Sequence, residues 1–206
     1  MLAVVQFIKV KDNIMKRTIL TAVSALLLSN VAFAANETYN IDSGHSFANF
    51  SIRHVVSKTS GSFNDVKGVI KIDRDNLANS SVDAKINVAS ISTGHAKRDD
   101  HIKKPEYLDA VNFGEISFVS SKVEAKTATE GVLTGRFTMH GVTKEIAIPF
   151  KVLGFGVDPW GGERSGFEAH TTIKASDYGF SWMTKPNAPV GDNIEVTLLL
   201  EGVKAK

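Results

Sequence analysis

Six histidines are the residues of this sequence best suited to chemistry, because imidazole is the side chain that most often binds metals and moves protons near neutral pH. They are His45, His54, His95, His101, His140 and His170. No two of them have the i, i+4 spacing of a helical metal site, and no carboxylates frame them as a ligand set. We therefore expect capping or surface roles for them, with no metal ion and no cofactor.

Other catalytic patterns are equally scarce. The chain contains no cysteine, which excludes thiol nucleophiles, disulfides and Cys-ligated zinc. It has no G-x-S-x-G elbow, and neither a P-loop nor a G-x-G-x-x-G sequence follows a candidate strand. A formal charge of +2, from 24 basic and 22 acidic residues, offers nucleic acid no basic surface. We expect a protein that is not an enzyme and does not bind nucleic acid.

The N-terminal region has the features of a secretory signal peptide in the usual order. Lys16 and Arg17 follow Met15, residues 18–28 are apolar except for threonine and serine, and residues 32–34 read Ala-Phe-Ala. The apolar stretch is shorter than the ~20 residues of a membrane-spanning helix. We predict cleavage after Ala34, a periplasmic domain at 35–206 and no integral membrane segment; a retained amphipathic helix is the alternative. Residues 1–14 are interpreted as a mis-called start or an extension.

After Tyr39, apolar and polar residues alternate along the sequence, and this two-residue period is typical of half-buried β-strands. Segment 116–123 is the least regular, because Val119 and Val123 fall opposite Ile116 and Phe118. Eight segments show the alternation: 46–54, 66–72, 81–88, 116–123, 131–139, 142–152, 166–174 and 194–203.

The joints between these strands predict how they pair. Residues 61–65 and the dipeptide His140-Gly141 form short connections, and short connections favour antiparallel neighbours. Eight strands that each have one apolar face must curl to bury it, which predicts a closed antiparallel barrel. The charged segment 93–109 predicts one helix of about two turns that ends near Lys104, because Pro105 disfavours its continuation.

The interior of such a barrel is either filled by side chains or holds one slender ligand. Gly68, Ala84 and Gly135 are small residues on apolar faces, which favours a cavity. Several aromatic residues near strand ends and loops could surround an entrance: Phe47, Phe63, Phe113, Phe155, Phe180 and Trp182. Composition alone does not decide between a filled and a hollow barrel.

Several short strings occur in one order along the chain and are similar to a known family. They include D-S-G-H-S-F-A-N-F-S-I-R-H at 42–54, S-I-S-T at 90–93, G-R-F-T-M-H-G-V-T-K at 135–144 and D-P-W-G-G at 158–162. Together they resemble the YceI-like family of exported polyisoprenoid-binding proteins, across residues 37–204. Two departures from the family pattern are Phe113-Gly114 and Lys104, which affect the expected geometry of the entrance.

The resemblance implies an all-β fold with one short helix, as an eight-stranded antiparallel lipocalin-like barrel with an elongated apolar pore. It also implies that the pore holds an isoprenoid lipid, such as a polyprenyl or quinone tail, without catalysis, and that the protein often forms a homodimer. The open alternatives are an exported stress-response or interaction barrel without a bound lipid, and an isoprenoid-modifying enzyme.

Most of the residues expected to contact the lipid are those on the apolar face of each strand, since only one face of a strand can point into the barrel. Five polar residues are expected to make structural hydrogen bonds, with contacts to a lipid head group at the entrance as the alternative. They are His45, Arg53, His54, Asp99 and His101. The predicted ligand-binding residues are Phe47, Phe50, Ile52, Ile70, Ile86, Phe137, Ile148 and Leu198.

Overall fold

The computed structural model describes residues 36–206, which contain eleven strands, one α-helix (α1, Ala96–Ile102) and four 3₁₀ segments. The predicted signal peptide and residues 1–14 lie outside the described residues. The 3₁₀ segments are Leu77–Asn79, Val88–Ser90, Ala175–Tyr178 and Ser181–Thr184. The strands are β1 (Glu37–Ile41), β2 (Phe47–His54), β3 (Ser57–Phe63), β4 (Val66–Ile72), β5 (Ser81–Asn87), β6 (Ile91–Ser92), β7 (Glu115–Ala125), β8 (Glu130–Met139), β9 (Val142–Val157), β10 (Glu163–Lys174) and β11 (Val190–Lys204).

The eleven strands make eight rows of a barrel wall, because three rows consist of two short strands in succession. Both β1 and β2 pair antiparallel with β11, where Ile41 lies opposite Gly202 and Phe47 opposite Leu199. β3 and β4 pair with this first row, and β6 prolongs β5 beside β3. Each row is antiparallel to the next, and β11 closes the ring onto the first. The predicted closed eight-stranded antiparallel barrel with one helix is confirmed.

Hydrogen bonds attach the short segment between β1 and β2 to the neighbouring strand β11. Oδ1 of Asp42 accepts a hydrogen bond from the N–H of Gly44 at 2.9 Å, which forms a tight local turn. The N–H of Asp42 donates to the carbonyl of Glu201 at 2.8 Å, and the fully buried Ser46 hydroxyl accepts from the N–H of Glu201 at 3.0 Å. The first row therefore continues past the break in the same direction.

A β-bulge accounts for the irregular alternation in β7. The pairing of β7 with β8 shifts between Ser120 and Lys122. Ile116 and Phe118 before the shift and Val123 after it are all buried, although their spacing changes parity. One extra residue in a bulge reverses which positions face inward, so a strict two-residue period fails at this point.

The turn between the first two rows differs from the expectation. The segment 61–65 is not a turn, because Gly61 pairs with Phe50 inside the sheet. The chain instead reverses at Val55 and Val56, where Val55 has a φ of 52°, an unusual value for a β-branched residue. The predicted turn at His140-Gly141 is confirmed, and both of its residues have positive φ, as a type I′ turn requires.

The up-and-down order of the rows places alternate connections at opposite ends of the barrel. We call one end the helix end; it carries the turn at 55–56, the connection 88–114 with α1, the turn at 140–141 and the connection 175–189. We call the other the termini end; it carries residues 36 and 206 and the connections 73–80, 126–129 and 158–162. Within residues 36–206, no helix combines the length and the apolar character needed to cross a bilayer.

Helix α1 is short and held mainly by its own segment. Nδ1 of His95 accepts from the N–H of Arg98 at 3.3 Å and so caps the first turn, and the helix ends before Lys103, as predicted. Oδ1 of Asp99 accepts from the N–H of Thr93 at 2.8 Å and from its hydroxyl. Asp99 therefore ties the helix to the residue that follows β6, which agrees with the structural role expected for it.

Candidate functional site

A cavity of about 500 Å³ occupies the interior of the barrel. Seven of the eight predicted ligand-binding residues line it, and they come from six different strands. These residues are Phe50, Ile52, Ile70, Ile86, Phe137, Ile148 and Leu198. The two-residue alternation therefore identified the inner face of each of these strands. That the seven side chains contact a lipid stays a prediction.

The eighth residue, Phe47, does not line the cavity, and its assignment is wrong. It precedes Ala48, which lines the cavity, and adjacent residues of a strand point to opposite faces. Phe47 therefore points outward, and 41% of its surface is exposed. Of the six aromatic residues expected near an entrance, three do line the cavity: Phe63, Phe180 and Trp182.

Several inward-facing side chains are only half-buried although the barrel around them is closed. Ile86, Phe137 and Leu198 belong to this group, and all three line the cavity. Side chains in a filled protein core are close-packed and have almost no accessible surface. The accessible surface of these residues therefore faces the cavity, so the middle of the barrel is hollow.

Phenylalanine rings of the cavity wall lie over glycines of the neighbouring strand. A Cβ atom at Gly61 would stand 2.6 Å from Cζ of Phe50, which is closer than real Cβ contacts. The three pairs of this kind are Gly61 with Phe50, Gly131 with Phe150, and Gly135 with Phe118. Each glycine leaves room for a ring to lie along the wall, which keeps the lumen open while its surface stays apolar.

The three small residues that predicted a cavity have different roles in the structure. Ala84 lines the cavity, as the argument required. Gly68 and Gly135 do not, and a Cβ at either position would collide with the neighbouring backbone, at the carbonyl oxygens of Asp83 and Val119 respectively. Both glycines permit close approach of strands, and Gly135 also leaves room for the Phe118 ring, so Gly68 is the one of the three residues that has no connection with the cavity.

The cavity is closed by packed side chains at the termini end. Tyr39, Ile72 and Leu77 are 0%, 2% and 4% exposed there. The hydroxyl of Tyr39 donates to Glu37 at 2.9 Å and accepts from Arg74 at 2.7 Å, and burial raises the pKa of this phenol. The Arg74 guanidinium also covers the ring of Phe155 at 3.7 Å, so an aromatic and ionic plug lies below the lumen.

Exposed lining residues are concentrated at the helix end. Five residues that line the cavity are exposed, and four of them lie there: His54, Arg98, His101 and Pro189. The fifth, Lys71, belongs to β4. Trp182 is half-buried beside them and contacts Tyr107 edge-on, with ring centroids 5.8 Å apart. We infer that the entrance to the cavity is at the helix end.

An ion cluster at the termini end is organised by Arg164. Its Nη1 lies 2.8 Å from Oδ2 of Asp42 and 3.1 Å from Oε1 of Glu201, and its Nε lies 2.8 Å from Oδ2 of Asp158. Backbone N–H groups of its own turn, together with the Arg164 guanidinium, hold the pKa of the Asp158 carboxyl below its usual value. The cluster joins the first row, β11 and the turn between β9 and β10.

His45 belongs to the same cluster. Its Nδ1 lies 2.9 Å from Oδ2 of Asp42, a contact that raises the pKa of the imidazole and lowers that of the carboxyl. Asp42, His45 and Glu201 present ligand atoms close enough together to hold a metal ion. Arg164 already contacts both carboxylates, so the arrangement works as a structural tie. His45 is remote from the inferred entrance, and its contact with Asp42 agrees with the structural hydrogen bond that was the first expectation for it.

The other histidines mostly have the capping or surface positions that were predicted. His170 is exposed and contacts Glu168 and Thr197. His140 differs, because its ring lies between those of Phe113 and Phe180 at centroid distances of 4.3 and 4.7 Å. Its Nε2 is buried and has no hydrogen-bond partner among residues 36–206.

Sequence reasoning missed the part of the cavity wall that comes from the connections. Ile102, Tyr107 and Leu108 lie in or after α1, and Met183 lies in the connection before β11; all four line the cavity. Irregular segments have no two-residue period that could assign an inner face. The available signal was the presence of large apolar residues within an otherwise charged segment.

A closed eight-stranded barrel around one hydrophobic cavity, with a short helix at one end, defines a hollow lipocalin-like barrel. Residues 39–202 match the YceI-like domain. The chain belongs to the YceI-like family.

Individual relatives agree with this assignment. A UPF0312 protein of Shewanella sp. strain ANA-3 is 37% identical over 193 residues, which cover 92% of this chain and 100% of the relative. BcnA of Burkholderia cenocepacia has a similar crystal structure, with a TM-score of 0.70, 22% identity and coverage of 78% of this chain and 98% of that one. The structure of a polyisoprenoid binding domain from Saccharophagus degradans is also similar, with a TM-score of 0.62 and 17% identity. The match covers 81% of this chain and 98% of that one. These two structures support the fold.

Proposed function

We propose that this protein binds one long isoprenoid lipid, such as a polyprenyl chain or the tail of an isoprenoid quinone, inside the barrel. The observation that carries the proposal is the apolar cavity of about 500 Å³, which is plugged at the termini end. The Saccharophagus degradans domain of the same fold is described as polyisoprenoid binding, which supports the choice of ligand.

The shape of the cavity favours a single slender chain. Lining residues run along β11 from Leu200 to Val190, ten residue steps. At about 3.3 Å per residue and a strand tilt of about 40°, this length corresponds to a depth of roughly 25 Å along the barrel axis. Dividing the cavity volume by this depth gives a mean cross-section on the order of 20 Å². Such a section suits one extended hydrocarbon chain.

The energetics require no reactive group. Each Å² of apolar lipid surface removed from water contributes about 25 cal/mol, so a long tail in an apolar tube binds tightly by burial alone. His54, Arg98 and His101 lie where a polar head group would emerge. We propose a binding or carrier role rather than catalysis.

Mass spectrometry of an organic extract of the purified protein tests this function. We expect an isoprenoid lipid in near-stoichiometric amount, or saturable uptake of an added polyprenol by lipid-free protein. A protein that contains no isoprenoid and takes up none contradicts the proposal and favours an interaction barrel. Chemical conversion of an added prenyl substrate would indicate an isoprenoid-modifying enzyme.

We also propose that the protein is exported to the periplasm and that cleavage follows Ala34, because of the signal pattern at 15–34. Intact-mass measurement of the protein from a periplasmic extract checks this, and a species that retains residues 15–34 contradicts it. The homodimer implied by the family stays a prediction, and sedimentation of the exported protein tests it.

A further inference from the structure

The turn at Val55 and Val56 exposes two aliphatic side chains beside the inferred entrance. Val55 is 56% exposed and Val56 is 98% exposed. The N–H of Val55 donates to the carbonyl of Pro189 at 2.7 Å, and both Pro189 and the preceding His54 line the cavity. The tip of the hairpin therefore belongs to the rim of the opening.

The two valines are not explained by the needs of the turn itself. Two-residue hairpin turns favour asparagine, aspartate and glycine, which tolerate positive φ, whereas Val55 is β-branched and has a φ of 52°. The tip is also held in place, because Arg53 donates to the carbonyls of Val55 at 3.1 Å and Ala188 at 3.3 Å. The hairpin thus presents Val56 to solvent from a supported position.

The surroundings of the tip are cationic. Segments 52–58 and 178–191 contain three basic residues and no acidic residue. Lys58 is paired with Glu195 at 2.7 Å, while Arg53 and Lys185 have no carboxylate partner within residues 36–206. Apolar side chains that project from a basic surface are the combination by which peripheral proteins bind anionic membranes.

The termini end provides a contrast within the same molecule. It also exposes large apolar side chains, since Val157 is 71% and Trp160 is 88% exposed. Segment 153–163 around them contains two acidic residues and no basic residue. Both acidic residues are ion-paired, Asp158 with Arg164 and Glu163 with Lys204, at 2.8 Å each. This turn therefore offers an anionic surface no unpaired cation, whereas the tip at the helix end offers Arg53 and Lys185, and this difference in charge distinguishes two tips of similar hydrophobicity.

We propose that the helix end docks on a bilayer that contains anionic phospholipid, with Val55 and Val56 among the head groups and Arg53 and Lys185 against the phosphates. In this orientation the entrance faces the bilayer, so an isoprenoid tail passes between bilayer and cavity with little exposure to water. That consequence rests on the proposed lipid binding, whereas the docking itself does not.

Co-sedimentation with vesicles tests the docking. The experiment uses residues 35–206, because every strand of the closed barrel lies between Glu37 and Lys204. The vesicles consist of phosphatidylcholine mixed with phosphatidylglycerol, or of phosphatidylcholine alone, and neither contains isoprenoid. We expect binding to the mixed vesicles, weaker binding at high salt, and much weaker binding to phosphatidylcholine alone.

The informative variant is Val55→Asn combined with Val56→Gly, because this pair suits a tight turn and keeps the hairpin. We expect a loss of roughly tenfold in affinity for the mixed vesicles, since two valine side chains no longer leave water. The matched control is Val157→Ser combined with Trp160→Ser at the termini end, which should bind as the parent protein does.

Several outcomes overturn the docking: no binding by the parent protein, equal binding by the Val55/Val56 variant, or loss of binding by the control variant. A change from dimer to monomer in the Val55/Val56 variant also overturns it, because a second copy would then cover the tip. Isoprenoid content is measured in parallel. Vesicle binding by a protein that neither contains isoprenoid nor takes up added polyprenol leaves the docking supported and the proposed function contradicted.

Discussion

The same cavity has two very different ends. At the termini end, Tyr39 and Leu77 are at most 4% exposed, and the buried phenol of Tyr39 is hydrogen-bonded to Glu37 and Arg74. At the helix end, His54 and other exposed residues line the same space. One end has the packing of a protein core, and the other has the mixed polar and apolar surface of an opening.

This contrast shows how one barrel can be both stable and accessible. Buried side chains and ion pairs at the termini end join the first row to its neighbours and keep the ring closed. The helix end contains short elements such as α1, none of whose seven residues is buried. Segments with few buried contacts open at low free energy, so entry and release of a ligand can occur there without global unfolding.

The largest effect is expected for Tyr39→Ala. This change removes a fully buried side chain and separates Glu37 and Arg74 from the phenol, so the free energy of unfolding should fall by about 3–5 kcal/mol. Urea denaturation of residues 35–206 measures it. Trp182→Ala at the helix end is the comparison and should cause less than half of that loss. Equal losses would mean that the two ends do not differ in packing.

Two isoleucine variants separate a filled core from a hollow tube. Ile41→Phe adds volume at a buried site that does not line the cavity, and it should destabilise the protein by about 1–3 kcal/mol. Ile86→Phe adds the same volume where the side chain faces the cavity, so it should displace bound lipid and leave the ligand-free melting temperature unchanged. Melting curves and lipid content are measured on both. A large drop in melting temperature for lipid-free Ile86→Phe contradicts a tube.

Acid sensitivity should depend on the Arg164 cluster. The pKa values of Asp42 and Asp158 are lowered in the folded protein. Their ionisation therefore adds to the free energy of unfolding above the usual carboxyl pKa of about 4, and this contribution is lost as the pH falls through the lowered values. Arg164→Gln should therefore reduce the melting temperature at neutral pH, with a difference from the parent protein that shrinks in acid.

The control for this pH series is Lys58→Gln. Lys58 and Glu195 form an exposed pair, with 60% and 57% of their side chains accessible, and such pairs add little to stability. We expect no measurable change in melting temperature at any pH. A difference for Arg164→Gln that stays constant down to strong acid would show that the carboxylates of the cluster do not contribute through their ionisation.

A small effect on global stability is expected for Asp99→Asn. The variant weakens the hydrogen bonds from Thr93 that hold α1, so amide exchange at 96–102 should accelerate and bound lipid should leave faster. The melting temperature should change little, because α1 has no buried residue. Hydrogen-exchange mass spectrometry and a lipid-release assay measure both effects. Unchanged exchange would show that Asp99 does not hold the helix.

Most of the barrel wall could be predicted from alternation, and the errors have local causes. The bulge at Ser120 changes the parity of β7, and the sequence marks it only as an irregular alternation in segment 116–123. The turn at Val55 and Val56 lacks turn residues, so β3 was not recognised and Gly61 was taken for a turn. Phe47 was included as one of the aromatic residues near strand ends that could surround an entrance, although the parity of β2 places it outside.

The sequence by itself determined which side of each strand faces inward, because side chains alternate at every residue and this needs only local information. It also indicated the helix, its end before Pro105 and the family resemblance. Only the tertiary structure decided where the rows meet, which end is plugged and which is open. Those features depend on contacts such as Arg164 with Asp42 and Tyr39 with Arg74, between residues far apart in the chain, and no local pattern encodes such pairings.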